Sequence, residues 1–354
     1  MVHQDIYRRQ GIASSDVISQ LRFPLIVLVT YAHSYGKVSD DYMLLSSPWD
    51  TYEVLKLLVS QTLVKIAVPA FFVISGYLFF KNIESWNFQV YQQKMLRRVK
   101  TLLLPYLLWN LLMAVKLRTF NWNMFWVFNP MAGMQTDWLG CENWMTAPAN
   151  MPLWFLRDLI VVSMFTPIVY IVLRRWGNCV MLLLTLLYLS GIGAFAVPGL
   201  SMYAVYFFCL GAFFGIRKLD IVEAMRHFET PAYIMFVMLG IVMMFTYHTV
   251  VFSSFMLVFR LVSVVVVFSL GHRILSKTDR RIPGMICRSS YFIYLSHYVI
   301  FLSFLDSAFF HLAGTSGLGM SLHYLICPVV KIIVLVGTYI VLLHILNKIM
   351  QISD

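Results

Sequence analysis

The chain has 354 residues, 60% of them hydrophobic and only 12% charged, with a formal net charge of +11. Charged residues run at about half the share found in soluble domains, which excludes an ordinary soluble globule and points to an integral membrane protein. Apolar runs near 20 residues long exclude a β-barrel, whose strands show a weak ten-residue alternation, and the placement of the basic residues in loops argues against nucleic acid as a partner.

The first predicted span, 17–36, contains Arg22 and His33, and no small-residue cleavage pattern follows it, so it is expected to stay in the protein. Eleven residues advance a helix by about 1,100°, which puts Arg22 and His33 on nearly one face, separated along the axis by ~16 Å. Two readings fit. Ionisable groups at membrane depth are costly, so the pair reads as a line of chemistry across half a bilayer. Alternatively, Arg22 is a cytoplasmic topology signal and His33 an interfacial side chain.

Further spans are predicted at 60–80, 101–118, 152–173, 179–195, 201–216, 231–249, 253–272, 288–305 and 322–347. The expected fold is all-α, a polytopic transmembrane bundle of about ten spans in a single domain, 1–354. Eighteen of the 27 Lys and Arg residues fall in alternate segments, beginning with Arg8 and Arg9 and then Lys81 to Lys100. The intervening segments hold only Lys37, Lys56, Lys116 and Arg118, and the bias predicts N-in and C-in.

Lys65, Arg157, Asp158, Arg260 and Lys331 also fall inside spans and need partners or water. With His33 they converge on the outer half of the bundle, which predicts a buried polar cavity there. Arg260 and Lys331, taken singly, read as snorkelling or ion-paired side chains. The loop from Thr119 to Met151 carries Trp122, Trp126, Trp138 and Trp144 with Asp137 and Glu142, either a sugar-binding surface or an interfacial aromatic belt. His297 shares a face with Ser290, Tyr294 and Phe301 and reads either as a hydrogen bond between helices or as an acid–base group. Five cysteines, an odd number, give neither a disulfide framework nor the spacing of a metal site. No repeat relates the two halves, which counts against an inverted-repeat transporter.

Five segments, in order, resemble acyltransferase family 3, the bacterial membrane O-acyltransferases that modify surface polysaccharides. They are Arg22 and His33 at the spacing of an Arg, ten residues, His motif; Val-Pro-Ala-Phe-Phe-Val-Ile-Ser-Gly-Tyr at 68–77; the basic run from Lys94 leading into Leu-Leu-Pro-Tyr; Pro-Leu-Trp-Phe-Leu-Arg-Asp at 152–158; and Ser-Ser-Tyr-Phe-Ile-Tyr-Leu-Ser-His at 289–297. Two positions depart from the pattern. Ser19 stands where many relatives carry an acidic residue, and Lys65 stands where many carry Arg, keeping the charge but losing the planar fork.

The resemblance implies transfer of an acyl group, expected to be acetyl, from acyl-CoA on the cytoplasmic side to a hydroxyl of an extracytoplasmic or lipid-linked glycan, in the bacterial inner membrane. In this scheme Arg22, Lys94, Arg97 and Arg98 hold the nucleotide phosphates, although the cluster equally fits lipid headgroup contact. His33 is the general base, and Lys65 or Arg157 stabilises the oxyanion. Asp158 either orients the imidazole or pairs with Arg157, and pairing is the simpler outcome for adjacent buried charges. A transporter or flippase for a polar metabolite or lipid-linked sugar is the alternative from another class.

Overall fold

A computed structural model describes residues 13–33, 50–119, 148–191, 199–247, 249–278, 280–299 and 316–353, with 305, 308–309 and 311–312 between the last two stretches. Every regular element among the described residues is helical. In chain order these are α1 (Ser14–Ala32), α2 (Thr51–Phe80), α3 (Phe88–Lys116), α4 (Trp154–Met164) and α5 (Thr166–Leu189). Then come α6 (Met202–Ile216), the short α7 (Ile221–Arg226), α8 (Glu229–Thr246), α9 (Phe252–Thr278), α10 (Gly284–Ser296) and α11 (Gly317–Ser353).

Six of these, α2, α3, α5, α8, α9 and α11, are long and apolar enough to cross a membrane. Their exposed faces carry Leu, Ile, Val and Met in quantity, as a lipid-facing surface requires. The chain is a multi-pass membrane protein. The expected spans at 17–36, 201–216 and 288–305 correspond to α1, 19 residues long, and to the shorter α6 and α10.

The expected span at 152–173 is broken rather than continuous. Phe165, at φ −87° and ψ 6°, separates α4 from α5, and Pro167 in the first turn of α5 accounts for the break, because proline brings no N–H to bond the carbonyl four residues back and its ring clashes with that carbonyl. A second departure from helical geometry lies at Trp176, φ −127° and ψ 28°. It falls between Arg174 and Arg175 on one side and Gly177 on the other, where the sequence predicts a loop between 173 and 179. Thus α5 is two arms meeting at a corner.

Two wider, π-type turns interrupt the long helices, at Leu57–Thr62 in α2 and Val99–Leu103 in α3. Such turns re-phase a helix and cluster at functional sites. The first is followed by a short 3-10 turn, Leu63–Ile66, that carries Lys65, and the second begins beside Arg98.

The closest packing is between the second half of α2 and α6. A Cβ placed on Gly76 would stand 2.1 Å from the carbonyl oxygen of Phe208, and one on Gly211 would stand 1.9 Å from that of Val73. Gly215 similarly faces the carbonyl of Tyr77. With no hydrophobic drive between helices in lipid, this backbone-to-backbone approach is what holds the pair. It fixes α2, and with it one wall of the site.

Hydrogen bonds set the relative directions. Ser60 of α2 donates to the carbonyl of Tyr31 at 3.2 Å and lies 2.6 Å from the hydroxyl of Tyr324, so the end of α1, the start of α2 and the start of α11 share one level. At the opposite level, Gln20 of α1 exchanges bonds with the backbone of Ile282 just ahead of α10. Hence α1 and α10 run parallel, and α2 and α11 run against them.

Candidate active site

Arg22 and His33 both line one cavity of about 740 Å³, together with Lys94, Arg97 and Arg98 of α3. Its walls are Ile26 and Val29 of α1, Val68, Phe71 and Ile74 of α2, Phe155 and Leu159 of α4, and Tyr294 of α10, a mainly apolar lining between polar ends. Lys94 donates to the carbonyl of Phe79 at 2.8 Å, and its charge lies 5.4 Å from the centre of that ring. The guanidinium of Arg98 lies 5.2 Å from the centre of the same Phe79 ring and donates to Ser75 at 3.0 Å. These anchors sit late in α2, at the level of Arg22. The basic cluster therefore gathers at one end of the cavity, with Arg22 and Arg97 exposed there.

At the other end, His33 terminates α1. Its ring faces His297 with centroids 5.3 Å apart and Tyr298 with centroids 5.9 Å apart. The other charges that reach it are those of Lys65 and Lys331, the latter buried. Lys65 does not line the cavity. His297, which the sequence leaves open between a structural and an acid–base role, stands beside His33.

Arg157 and Asp158 are buried and bond to each other. The Nε and Nη2 of Arg157 donate to one oxygen of Asp158 at 2.9 and 2.7 Å. The same carboxylate accepts from the backbone N–H of Gly199 at 3.2 Å and from the Ser201 hydroxyl at 2.9 Å. Ser201 in turn caps α6 by accepting from the N–H of Ala204. Neither member of the pair lines the cavity, and the pair joins α4 to the start of α6.

His297 differs from its sequence reading. Its Nδ1 bonds back to its own helix, to the carbonyls of Tyr294 at 2.8 Å and Ile293 at 3.2 Å, instead of to a neighbouring helix. Tyr294 does cross, donating from its hydroxyl to the carbonyl of Pro152 at 2.8 Å. Arg260 lies 4.9 Å over the ring of Tyr203, away from the cavity. Trp122, Trp126, Trp138, Trp144, Asp137 and Glu142 lie outside the described residues.

A long, mostly apolar cavity with a basic mouth and a histidine at its far end can take a molecule that has an anionic head and a narrow arm, and bring the tip of that arm to an imidazole. Over 135 residues the chain is 25% identical to the succinoglycan biosynthesis protein ExoH of Rhizobium meliloti (strain 1021). The match covers 37% of this chain and 36% of that relative, so the chain spans about a third of the length of the curated relative it matches. No solved structure matches the chain. A family model described as an acyltransferase domain, that of acyltransferase family 3, matches residues 16–343, which take in the cavity, both its polar ends and all but the termini of the bundle, and the chain belongs to that family.

Proposed function

We propose that this protein is an O-acyltransferase of the bacterial inner membrane, crossing it about ten times with both termini inside. It moves an acetyl group from cytoplasmic acetyl-CoA to a hydroxyl of an extracytoplasmic or lipid-linked glycan. The ten passes are supported by the corner at Trp176, which divides α5 between two passes, and by the alternating directions of the helices that meet around Ser60 and Gln20. The glycan acceptor is supported by the likeness to a succinoglycan biosynthesis protein. The observation that carries the reading is that one and the same cavity is lined by Arg22, Lys94, Arg97 and Arg98 at one end and by His33 at the other.

Arg22, Lys94, Arg97 and Arg98 hold the phosphates of the donor, guanidinium groups being suited to grip them in two places. The pantetheine arm runs between the apolar walls. The ~16 Å from Arg22 to His33 along α1 is comparable to the reach of that arm, so the thioester carbon arrives beside the imidazole. A sugar hydroxyl is a poor nucleophile, and neutral His33 removes its proton as the oxygen attacks. The new C–O bond forms as the C–S bond breaks, and the proton held by His33 passes to the departing sulfur. Of the two cations considered for the oxyanion neither lines the cavity, Arg157 is held by Asp158, and we assign the role to Lys65, acting by its positive field from behind the wall and not by contact. Arg157 and Asp158 act as a brace that sets α4 against α6.

Membrane vesicles incubated with labelled acetyl-CoA and a glycan acceptor pool test the reading. Wild-type protein should label the pool, and His33→Ala, at equal protein level, should do so on the order of 10²-fold more slowly or worse while still binding the donor. Unchanged transfer by His33→Ala removes the base from the mechanism. Solute flux without labelling of any acceptor favours the transporter.

A further inference from the structure

His297 ends α10 beside the end of α1, and its ring is 1% exposed. Both carbonyls near its Nδ1 can only accept, so Nδ1 carries the proton and Nε2 presents a lone pair. That Nε2 is fully buried and has no hydrogen-bond partner among the described residues. A buried acceptor is seldom left so, and each exception calls for a partner that arrives or a chemical role. The ring it faces is His33, at a centroid separation of 5.3 Å. The two rings are tilted by 44° and make no hydrogen bond as they stand, but a turn of the His33 ring edge-on to His297 keeps about that separation, since an N–H···N bond of ~2.9 Å plus the distance of each nitrogen from its own ring centre comes to nearly the same.

We propose that His297 is a positioning residue of the catalytic centre, whose Nε2 accepts the N–H of His33 when the His33 ring turns edge-on to it, and which thereby holds His33 in the tautomer that presents its other nitrogen, with its lone pair, to the cavity. The inference rests on the proposed acyl transfer. When His33 takes the proton of the attacking hydroxyl it carries two N–H groups. One stays bonded to His297 Nε2, and the other is delivered to the sulfur as the C–S bond breaks. Both imidazoles end the cycle neutral, and no further reactant is needed. The backbone bonds from Nδ1 keep the acceptor on the correct side of the ring throughout, and the Tyr294 hydroxyl on the Pro152 carbonyl pins the turn that carries it.

Two substitutions separate this role from a purely structural one. In His297→Asn the side-chain amide can still donate to the Tyr294 carbonyl but leaves nothing where Nε2 stood. In His297→Gln an amide oxygen reaches about as far as Nε2 and can accept from His33. Purified, folded variants are compared for kcat with labelled acetyl-CoA, for donor affinity, and for the tautomer of His33 by 15N spectra of histidine-labelled protein. His297→Asn should lose kcat on the order of 10-fold or more at unchanged donor affinity, His297→Gln should recover part of it, and adding His297→Asn to His33→Ala should cost nothing further. The spectra should show one His33 tautomer in the wild type and a mixture in His297→Asn. Full kcat in His297→Asn, or an equal loss in both variants, overturns the proposal. If the wild type transfers no acyl group, the function above fails, and the spectra still decide the pairing: an unchanged His33 tautomer in His297→Asn overturns it.

Discussion

Arg98 of α3 donates to the Ser75 hydroxyl of α2 at 3.0 Å, tying the basic turn to the cavity wall. The bond holds the guanidinium over the Phe79 ring, where Lys94 is also anchored, so two of the cations assigned to the donor are set by α2. A neutral partner for a charged donor is worth about 1.5–3 kcal/mol. Ser75→Ala should therefore weaken acetyl-CoA binding by about tenfold through loss of positioning, while Arg98→Ala, which also removes a phosphate contact, should weaken it more. Titration of purified protein checks this, and equal affinity in both variants and wild type dissociates Arg98 from the donor.

Arg22 lies at the same end of the cavity but is exposed and carried by α1. Among the described residues its side chain has no bond to break before it meets a ligand. Arg22→Lys keeps the charge and loses the planar fork, so it should bind acetyl-CoA more weakly than wild type and better than Arg22→Ala. The order of the three affinities is the result to measure. An Arg22→Ala protein as tight as wild type would remove this residue from the donor site.

The common face of Arg22 and His33 is legible in the sequence because both sit on one helix, whose pitch alone fixes their relation. The corner at Trp176 is legible too, since Arg174, Arg175 and Gly177 interrupt an apolar run. The meeting of His33 with His297 is not legible, because it depends on how α1 lies against α10, and periodicity says nothing about which helices are neighbours. The same holds for Gly76 and Gly211. A glycine in an apolar helix is unremarkable until the backbone facing it is known. The turns at Leu57–Thr62 and Val99–Leu103 carry no composition signal, yet they set the phase at which Lys65 and the basic cluster project.

The contact between α2 and α6 gives a stability prediction whose sign is decided by two opposing effects. Alanine is a better helix former than glycine by up to about 1 kcal/mol. At Gly211 the added methyl would stand 1.9 Å from the Val73 carbonyl, and forcing the helices apart costs about 1–3 kcal/mol, so Gly211→Ala should destabilise the protein. At Gly337 nothing lies within 4 Å of the new atom, and Gly337→Ala should be neutral or stabilising. Thermal unfolding in one detergent compares them, and a Gly211→Ala protein as stable as Gly337→Ala contradicts the close packing.

The basic bias of the sequence predicts that the 119–151 loop faces away from the cytoplasm. A single cysteine placed there, in an otherwise cysteine-free protein, should react with a membrane-impermeant maleimide in intact cells whose outer envelope has been opened. A cysteine at Arg175, beside the corner in α5, should react only after the membrane is disrupted. Reversed labelling at the two positions would place both termini outside.

The brace of Arg157 and Asp158 separates a structural from a catalytic role for two residues that the family motif brings forward together. Asp158 is 1% exposed and accepts from Arg157, from the Gly199 backbone and from Ser201. Asp158→Ala takes the carboxylate from beside a buried guanidinium and leaves the Gly199 and Ser201 donors at the start of α6 without it, which should cost about 3–5 kcal/mol. Removing the guanidinium as well, in Arg157→Met with Asp158→Ala, takes away the buried charge along with its counter-charge. The double variant should then be more stable than Asp158→Ala alone, with an interaction energy of about 1–3 kcal/mol in the cycle. Because neither side chain lines the cavity, the double variant, where it folds, should keep donor affinity near that of wild type. Its acyl transfer per folded molecule should fall by far less than the 10²-fold expected for His33→Ala. A folded double variant as inactive as His33→Ala would move the pair from the scaffold into the chemistry.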